Sequence, residues 1–142
     1  MPKSYRLVHL QAICGSAEVF RTASVTLEAS DGRRLDGFAE GDGPVDAAYN
    51  AINEALLVDA GLSKRAVRLS EFVIKIEGTG TEAKGKAIIA IRADGRELYG
   101  TGLSTDIVEA SALAYLDALN HLLTERGERR RSRSDKAGVA ES

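Results

Sequence analysis

An internal repeat constrains this chain more than any other feature. Shifting the sequence by 63 residues lays Asp31, Gly32, Arg33, Leu35, Gly37, Val45, Ala47, Ala51, Ala55 and Leu56 on Asp94, Gly95, Arg96, Leu98, Gly100, Val108, Ala110, Ala114, Ala118 and Leu119. That is ten identities in 26 positions without a gap. Self-similarity at a fixed period marks a duplicated structural unit, so one local plan must be built twice.

The plan is legible from periodicity and punctuation. From Tyr5 to Cys14 the chain alternates, with Val8, Leu10, Ala12 and Cys14 on one side and His9 and Gln11 on the other. That is the pattern of a strand with one buried face. A second strand runs over 19–29, Ser30-Asp31-Gly32 reads as a hairpin turn of type I′, and 33–40 returns. Pro44 then suits the first position of a helix, with Gly43 as its cap and Asp46 in the first turn. Val45, Ala48, Tyr49, Ile52 and Leu56 make its apolar stripe, and Gly61 ends it. The second half repeats this with strands over 68–77 and 84–93, an Asp94-Gly95 turn, a return over 96–103, and a helix capped by Asp106 with Glu109 as capping-box partner. The predicted class is α+β: a duplicated βββα unit, giving two antiparallel three-stranded sheets, each with one helix. The units span about 5–61 and 66–126 of a single domain, 1–126. The second helix is expected to end near Leu123, and 127–142 to form a disordered Arg-rich tail, because apolar periodicity stops there. Alanines four apart, Ala47/Ala51/Ala55 and Ala110/Ala114/Ala118, make thin ridges that admit a close neighbour. That neighbour is the other helix, the sheet or a second chain.

Composition narrows the function. The 142 residues are 44% hydrophobic and 28% charged, as in an ordinary soluble domain. A lone cysteine, Cys14, excludes an intramolecular disulfide or a cysteine-based zinc site, and it reads as a buried thiol. No apolar run approaches the ~20 residues of a membrane span, and the first ten residues lack a signal-peptide layout. A cytoplasmic protein is the expectation. Residues 125–142 carry a net charge of +2 and the remainder −4. A mildly acidic body argues against a nucleic-acid partner. An RNA-binding module anchored by the basic tail is kept as an alternative.

Catalytic signatures are missing. His9 and His121 lack ligand-spaced neighbours, no Ser/His/Asp order or Walker loop appears, and Gly78-Thr79-Gly80 lacks the strand–turn–helix context of a phosphate loop. No metal or cofactor is expected. Two helix starts stand out instead: Gly41-Asp42-Gly43-Pro44-Val45-Asp46-Ala47 and its repeat equivalent Ser104-Thr105-Asp106-Ile107-Val108-Glu109-Ala110. Free N–H groups and the helix dipole suit a carboxylate there. Asp42, Asp106 and Thr105 suit an ammonium. Together they fit a free amino acid, although each alone is also an ordinary strand-to-helix turn.

Those two motifs, with Ala114-Tyr115-Leu116-Asp117-Ala118-Leu119-Asn120, resemble the C-terminal regulatory domain of α-isopropylmalate synthase, a domain related to that of citramalate synthases. The resemblance runs from about Tyr5 to Leu123. It implies two βββα units, a homodimer, and feedback inhibition by an end-product amino acid, leucine or, in some citramalate synthases, isoleucine. Carried over by motif, the ligand site would use Gly41, Asp42, Gly43, Pro44, Val45 and Ala47 at one helix start and Thr105, Asp106, Ile107 and Ala110 at the other. The family's catalytic TIM barrel, which condenses acetyl-CoA with a 2-oxo acid, has no counterpart in these residues; a barrel alone needs about 250. The resemblance thus implies a non-catalytic domain, excised or free-standing, whose acyltransferase lies in cis or in trans. A dimerisation module that binds no ligand is the alternative.

Overall fold

The computed structural model describes residues 4–14 and 21–141. The Cys14 side chain lies outside the described residues, as do the side chains of 130–141. The elements run β1 (Tyr5–Cys14), β2 (Arg21–Ala29), β3 (Arg34–Glu40), α1 (Pro44–Ala60), a short 3₁₀ turn (Lys64–Ala66), β4 (Arg68–Glu77), a second 3₁₀ turn (Gly80–Glu82), β5 (Lys84–Ala93), β6 (Arg96–Ser104) and α2 (Ile107–Glu141). Two antiparallel three-stranded sheets result, ordered β1-β2-β3 and β4-β5-β6. The predicted α+β class and its duplicated unit are what the structure shows.

The strand registers make the duplication physical. Leu7 pairs with Leu27 and Leu27 with Leu35, while Leu69 pairs with Ile91 and Ile91 with Leu98. Each unit carries a bulge at the same place, between Leu7 and His9 and between Leu69 and Glu71. In the first unit that bulge breaks the alternation expected along β1. Tyr5 and Leu7 before it, and Leu10 and Ala12 after it, all pack on the core, whereas strict alternation groups Val8 with Leu10 and Ala12. An extra residue resets the face that follows it.

The two hairpins differ. Asp94 and Gly95 have φ of 56° and 72°, the paired positive values of a type I′ turn. The first hairpin is not type I′. Ala29 N–H donates to Arg33 O at 2.8 Å, which closes a three-residue loop in which only Gly32, at φ 90°, is left-handed. With the extra residue Ser30, Asp31 leaves the left-handed region and only the glycine keeps a positive φ.

The alanine ridges meet their own sheets. Ala47 and Ala51 on α1 and Ala110, Ala114 and Ala118 on α2 are fully buried. They face glycines: a Cβ on Gly37 would lie 2.9 Å from Ala55 N, one on Gly100 2.9 Å from Ala118 Cβ, and one on Gly102 2.7 Å from Ala114 N, with still closer clashes against Ala51 O, Ala114 O and Ala110 O. The ridges are therefore used up within the chain and are not a surface for a second copy. Above them Leu27, Ile52, Leu56, Ile89, Ile91, Leu119 and Leu122 are fully buried, each contributing roughly 1.5–3 kcal/mol of apolar burial.

The helices join the two units. Tyr49 and Tyr115 lie with ring centroids 4.7 Å apart, and Tyr115 Oη donates to Asn53 Oδ1 at 2.5 Å. Burial pushes the Tyr115 hydroxyl up to about 12. Burial also raises the Tyr49 hydroxyl above the ordinary tyrosine value, with Ser111 acting in the opposite sense. α2 crosses to the first unit, where Asn120 accepts from Tyr5 N–H at 2.9 Å and donates to Tyr5 O at 2.8 Å.

α2 continues well past Leu123, to Glu141, in place of the tail expected from 127. Loss of apolar periodicity removes the packing of a helix but not its propensity: this segment is rich in Arg and free of Pro, and its two glycines, Gly127 and Gly138, do not interrupt it. Arg126 Nε and Nη2 also clamp Asp94 at 2.8 and 2.7 Å, and Arg129 adds a third bond at 3.0 Å. The Arg126 guanidinium holds the Asp94 carboxyl below the usual carboxylate range.

Two consequences are measurable. Gly100→Ala should destabilise the domain by roughly 1–3 kcal/mol or more in chemical denaturation, because helix backbone occupies the space its methyl needs; Gly43→Ala, whose Cβ would meet nothing within 4 Å, should cost far less. The Asp94 clamp contributes stability above about pH 4 that is lost as pH falls through the depressed folded value. Asp94→Asn, which keeps a residue tolerant of positive φ, should remove about 1 kcal/mol at neutral pH and flatten the acid limb of the stability curve.

Candidate functional site

The two helix starts are built on one scaffold but finished differently. At α1, Gly41 N–H donates to Arg21 O at 3.0 Å, which ties the turn to β2. Asp42 N–H donates to Asp46 Oδ2 at 2.9 Å, and Arg21 Nη1 donates to Asp42 O. The cap residue Gly43 sits in extended backbone at φ −158° with no side-chain cap, and Pro44 follows it. The first turn of α1 therefore has no side-chain acceptor at its cap, and the dipole there is neutralised only by Asp46.

At α2 the equivalent cap is filled. Asp106 Oδ1 accepts from Val108 N–H at 2.8 Å and more weakly from Glu109 N–H at 3.4 Å. Ser104 Oγ takes the Asp106 N–H at 3.1 Å and reaches Glu109 Oε2 at 3.2 Å. Asp106 caps the helix as expected, but the reciprocal bond of a capping box is replaced: Ser104 Oγ, not Glu109, accepts from Asp106 N–H, and Glu109 is joined to the cap only through Ser104. Both starts carry carboxylates, Asp42 and Asp46 at the first and Asp106 and Glu109 at the second, but only at the second does one of them cap the helix N–H groups; at the first the cap position is Gly43.

A groove of about 390 Å³ joins them. Pro44 lines it from α1, Asp106, Val108, Glu109 and Leu113 from α2, and Leu7, Val8, His9, Leu10 and Ala12 from β1. The volume lies within the roughly 300–1,000 Å³ of small-molecule sites. Its lining is mixed: Leu7, Val8, Leu10, Ala12, Val108 and Leu113 are apolar, Asp106 and Glu109 bring carboxylates at the α2 end, and His9 brings an imidazole on β1.

Of the ten residues picked out by motif, Pro44 and Asp106 line this groove. Gly41, Asp42, Gly43 and Val45 surround the α1 start without lining it. Thr105 and Ile107 are exposed beside the α2 start. Ala47 and Ala110 are fully buried; Ala47 backbone meets Gly41 and Ala110 O meets Gly102. These two alanines shape the turns from behind. The β1 wall was not picked out from the sequence. Its signal was the loose alternation around Val8, which the bulge explains.

Among the described residues no three His, Cys, Asp or Glu side chains gather as a metal site. No helix there is long and apolar enough to cross a membrane. His121 is spent on structure, its Nδ1 2.7 Å from Tyr99 O.

Known proteins carry related sequences. The family model described as the LeuA allosteric (dimerisation) domain matches residues 1–123. The chain is 36% identical over 125 residues to the 2-isopropylmalate synthase of Clostridium kluyveri, covering 88% of this chain and 23% of that protein. It is 41% identical over 122 residues to that of Gloeobacter violaceus, covering 86% and 21%, and 42% identical over 104 residues to that of Xanthomonas campestris, covering 73% and 19%. The chain thus spans about a fifth of the length of these curated relatives. Two βββα units, paired helix starts and a match along almost the whole described core agree: the chain belongs to the LeuA allosteric (dimerisation) domain family.

Proposed function

We propose that this domain is a non-catalytic sensor that binds a branched-chain amino acid, leucine foremost, in the groove between the helix starts, and that it works as a homodimer regulating an acyltransferase of the 2-isopropylmalate synthase type in cis or in trans. The observation that carries this reading is the asymmetry of the two caps across one groove. The uncapped α1 start, with Gly43 at its head, suits the ligand carboxylate. Asp106 and Glu109 suit its ammonium, by charge-assisted hydrogen bonds. Leu7, Leu10, Val108 and Leu113 offer the apolar wall. Burying a leucine side chain there adds roughly 1.5–3 kcal/mol.

The reading gives a sensing role to a piece that matches about a fifth of its relatives, and it assigns the chemistry to the part of those proteins that this chain does not match. The groove holds no nucleophile–base pair among its lining residues.

Thermal denaturation with leucine, isoleucine and valine tests it. A ligand that binds only the folded state stabilises it by RT ln(1 + [L]/Kd), about 2.7 kcal/mol at a hundredfold excess over Kd. Gly43→Asp should leave the free domain as stable or slightly more so, since aspartate is a good cap, and should abolish the leucine shift by placing a carboxylate where the ligand's belongs. Asp106→Asn keeps a capping side chain but removes the charge, so it should weaken binding about tenfold with little change in the free domain. No shift with any of the three amino acids at millimolar concentration would reduce the domain to a dimerisation module.

A further inference from the structure

The two units differ at one strand edge. Three of the four outer strands have backbone groups occupied by helix side chains: Tyr5 of β1 by Asn120, Glu40 O of β3 by Asn50 at 2.9 Å, and β6 by Asp117, which accepts from Thr101 N–H at 3.0 Å, and by His121 at Tyr99 O. Among the described residues, the ten-residue β4 has no such partner on its free edge. Neither helix gives β4 more than marginal contact, whereas β1, its counterpart, packs against both. The result is an apolar row on the helix side of the sheet that stays open: Leu69 is 47% exposed, Phe72 40% and Ile76 65%. A long, regular, apolar edge is a template for another strand.

The sequence of β4 specifies which strand fits. Paired antiparallel with itself about Val73, β4 sets Glu71 of one copy opposite Lys75 of the other, twice by symmetry, and Phe72 opposite Ile74 on the helix side. Moving the centre to Ile74 sets Glu71 against Glu77, and moving it to Phe72 leaves both Glu71 and Lys75 opposite apolar residues; the Val73 register sets Leu69 opposite Glu77 but alone keeps both Glu71–Lys75 pairs. Opposite charges directly across an antiparallel pair are favourable and like charges are not. Glu71 and Lys75 are both exposed. A two-fold axis through Val73 keeps both sets of helices on one side of a continuous six-stranded sheet, an isologous contact.

We propose that the β4 edge is the surface on which two copies of this chain pair, antiparallel and centred on Val73. The proposal deepens the dimer part of the reading above and is independent of its amino-acid part. The test is the dimer dissociation constant at low ionic strength, by sedimentation equilibrium, for the wild type, Glu71→Lys, Lys75→Glu and the double swap. Each single reversal turns two attractive pairs into two repulsive ones and should weaken the dimer about tenfold or more. The double swap restores complementarity and should return the constant to within about threefold of wild type. All three variants change exposed side chains, and circular dichroism checks that they fold. A wild-type dimer whose constant is unmoved by the single reversals, or a double swap as weak as either single, overturns the β4 pairing and leaves the dimer reading standing. A wild type that stays monomeric to millimolar concentration overturns both, and the leucine shift still decides the sensing role.

Discussion

The missing Cβ atoms of Gly37, Gly100 and Gly102 set the distance between each helix and its sheet. With side chains there, the alanine ridges of α1 and α2 could not approach, since helix carbonyl and amide atoms already occupy the space. Where the approach is closest, alanines and glycines form the contact, and the large side chains Leu27, Ile52, Leu56, Ile89, Ile91, Leu119 and Leu122 fill the core beside it. The same approach fixes where each helix begins. Gly41 is packed against the backbone of Asp46 and Ala47, so the turn into α1 is seated on the end of β3, and the repeat seats α2 on the end of β6.

Much of this was legible in the sequence because the signals are local. Strand alternation, the Asp-Gly turns, Pro44 at a helix start, Gly61 at its end and the Asp106 cap depend on neighbouring residues, and the elements lie within a few residues of where these signals put them. The repeat then doubled the evidence. The features that were not legible depend on partners distant in sequence. The alanine ridges were visible, but their glycine partners were not identifiable as such until β3 and β6 stood under the helices. The first hairpin hid its loop length because Asp31-Gly32 and Asp94-Gly95 are the same pair of residues in different frames. α2 continues beyond its apolar stripe because propensity and the Asp94 clamp act where periodicity is silent.

The candidate site shows the same division. Pro44 and Asp106 were found because capping chemistry has a spacing signature. Leu7, Val8 and His9 line the groove because a bulge turns β1 and because α2 crosses to the first unit, and neither is written in any short window. Ala47 and Ala110 matched the motif yet face away from the groove; their positions are set by packing against the turns. A motif shared by two repeats therefore mixes residues kept for the shape of the turn with residues able to meet a ligand, and burial separates them.

The glycine slots also have a mechanical meaning. A helix keyed into backbone cannot slide or roll on its sheet without colliding with it, so β1–β3 with α1 and β4–β6 with α2 each behave as one stiff block. What can yield is the seam between blocks, held by the stacked tyrosines, the Asn53 and Asn120 hydrogen bonds and the crossing of α2 over β1. The groove opens on that seam, with β1 and Pro44 on one side and Asp106, Val108, Glu109 and Leu113 on the other. Anything that fills it touches both blocks at once, and so bears directly on the seam that joins them.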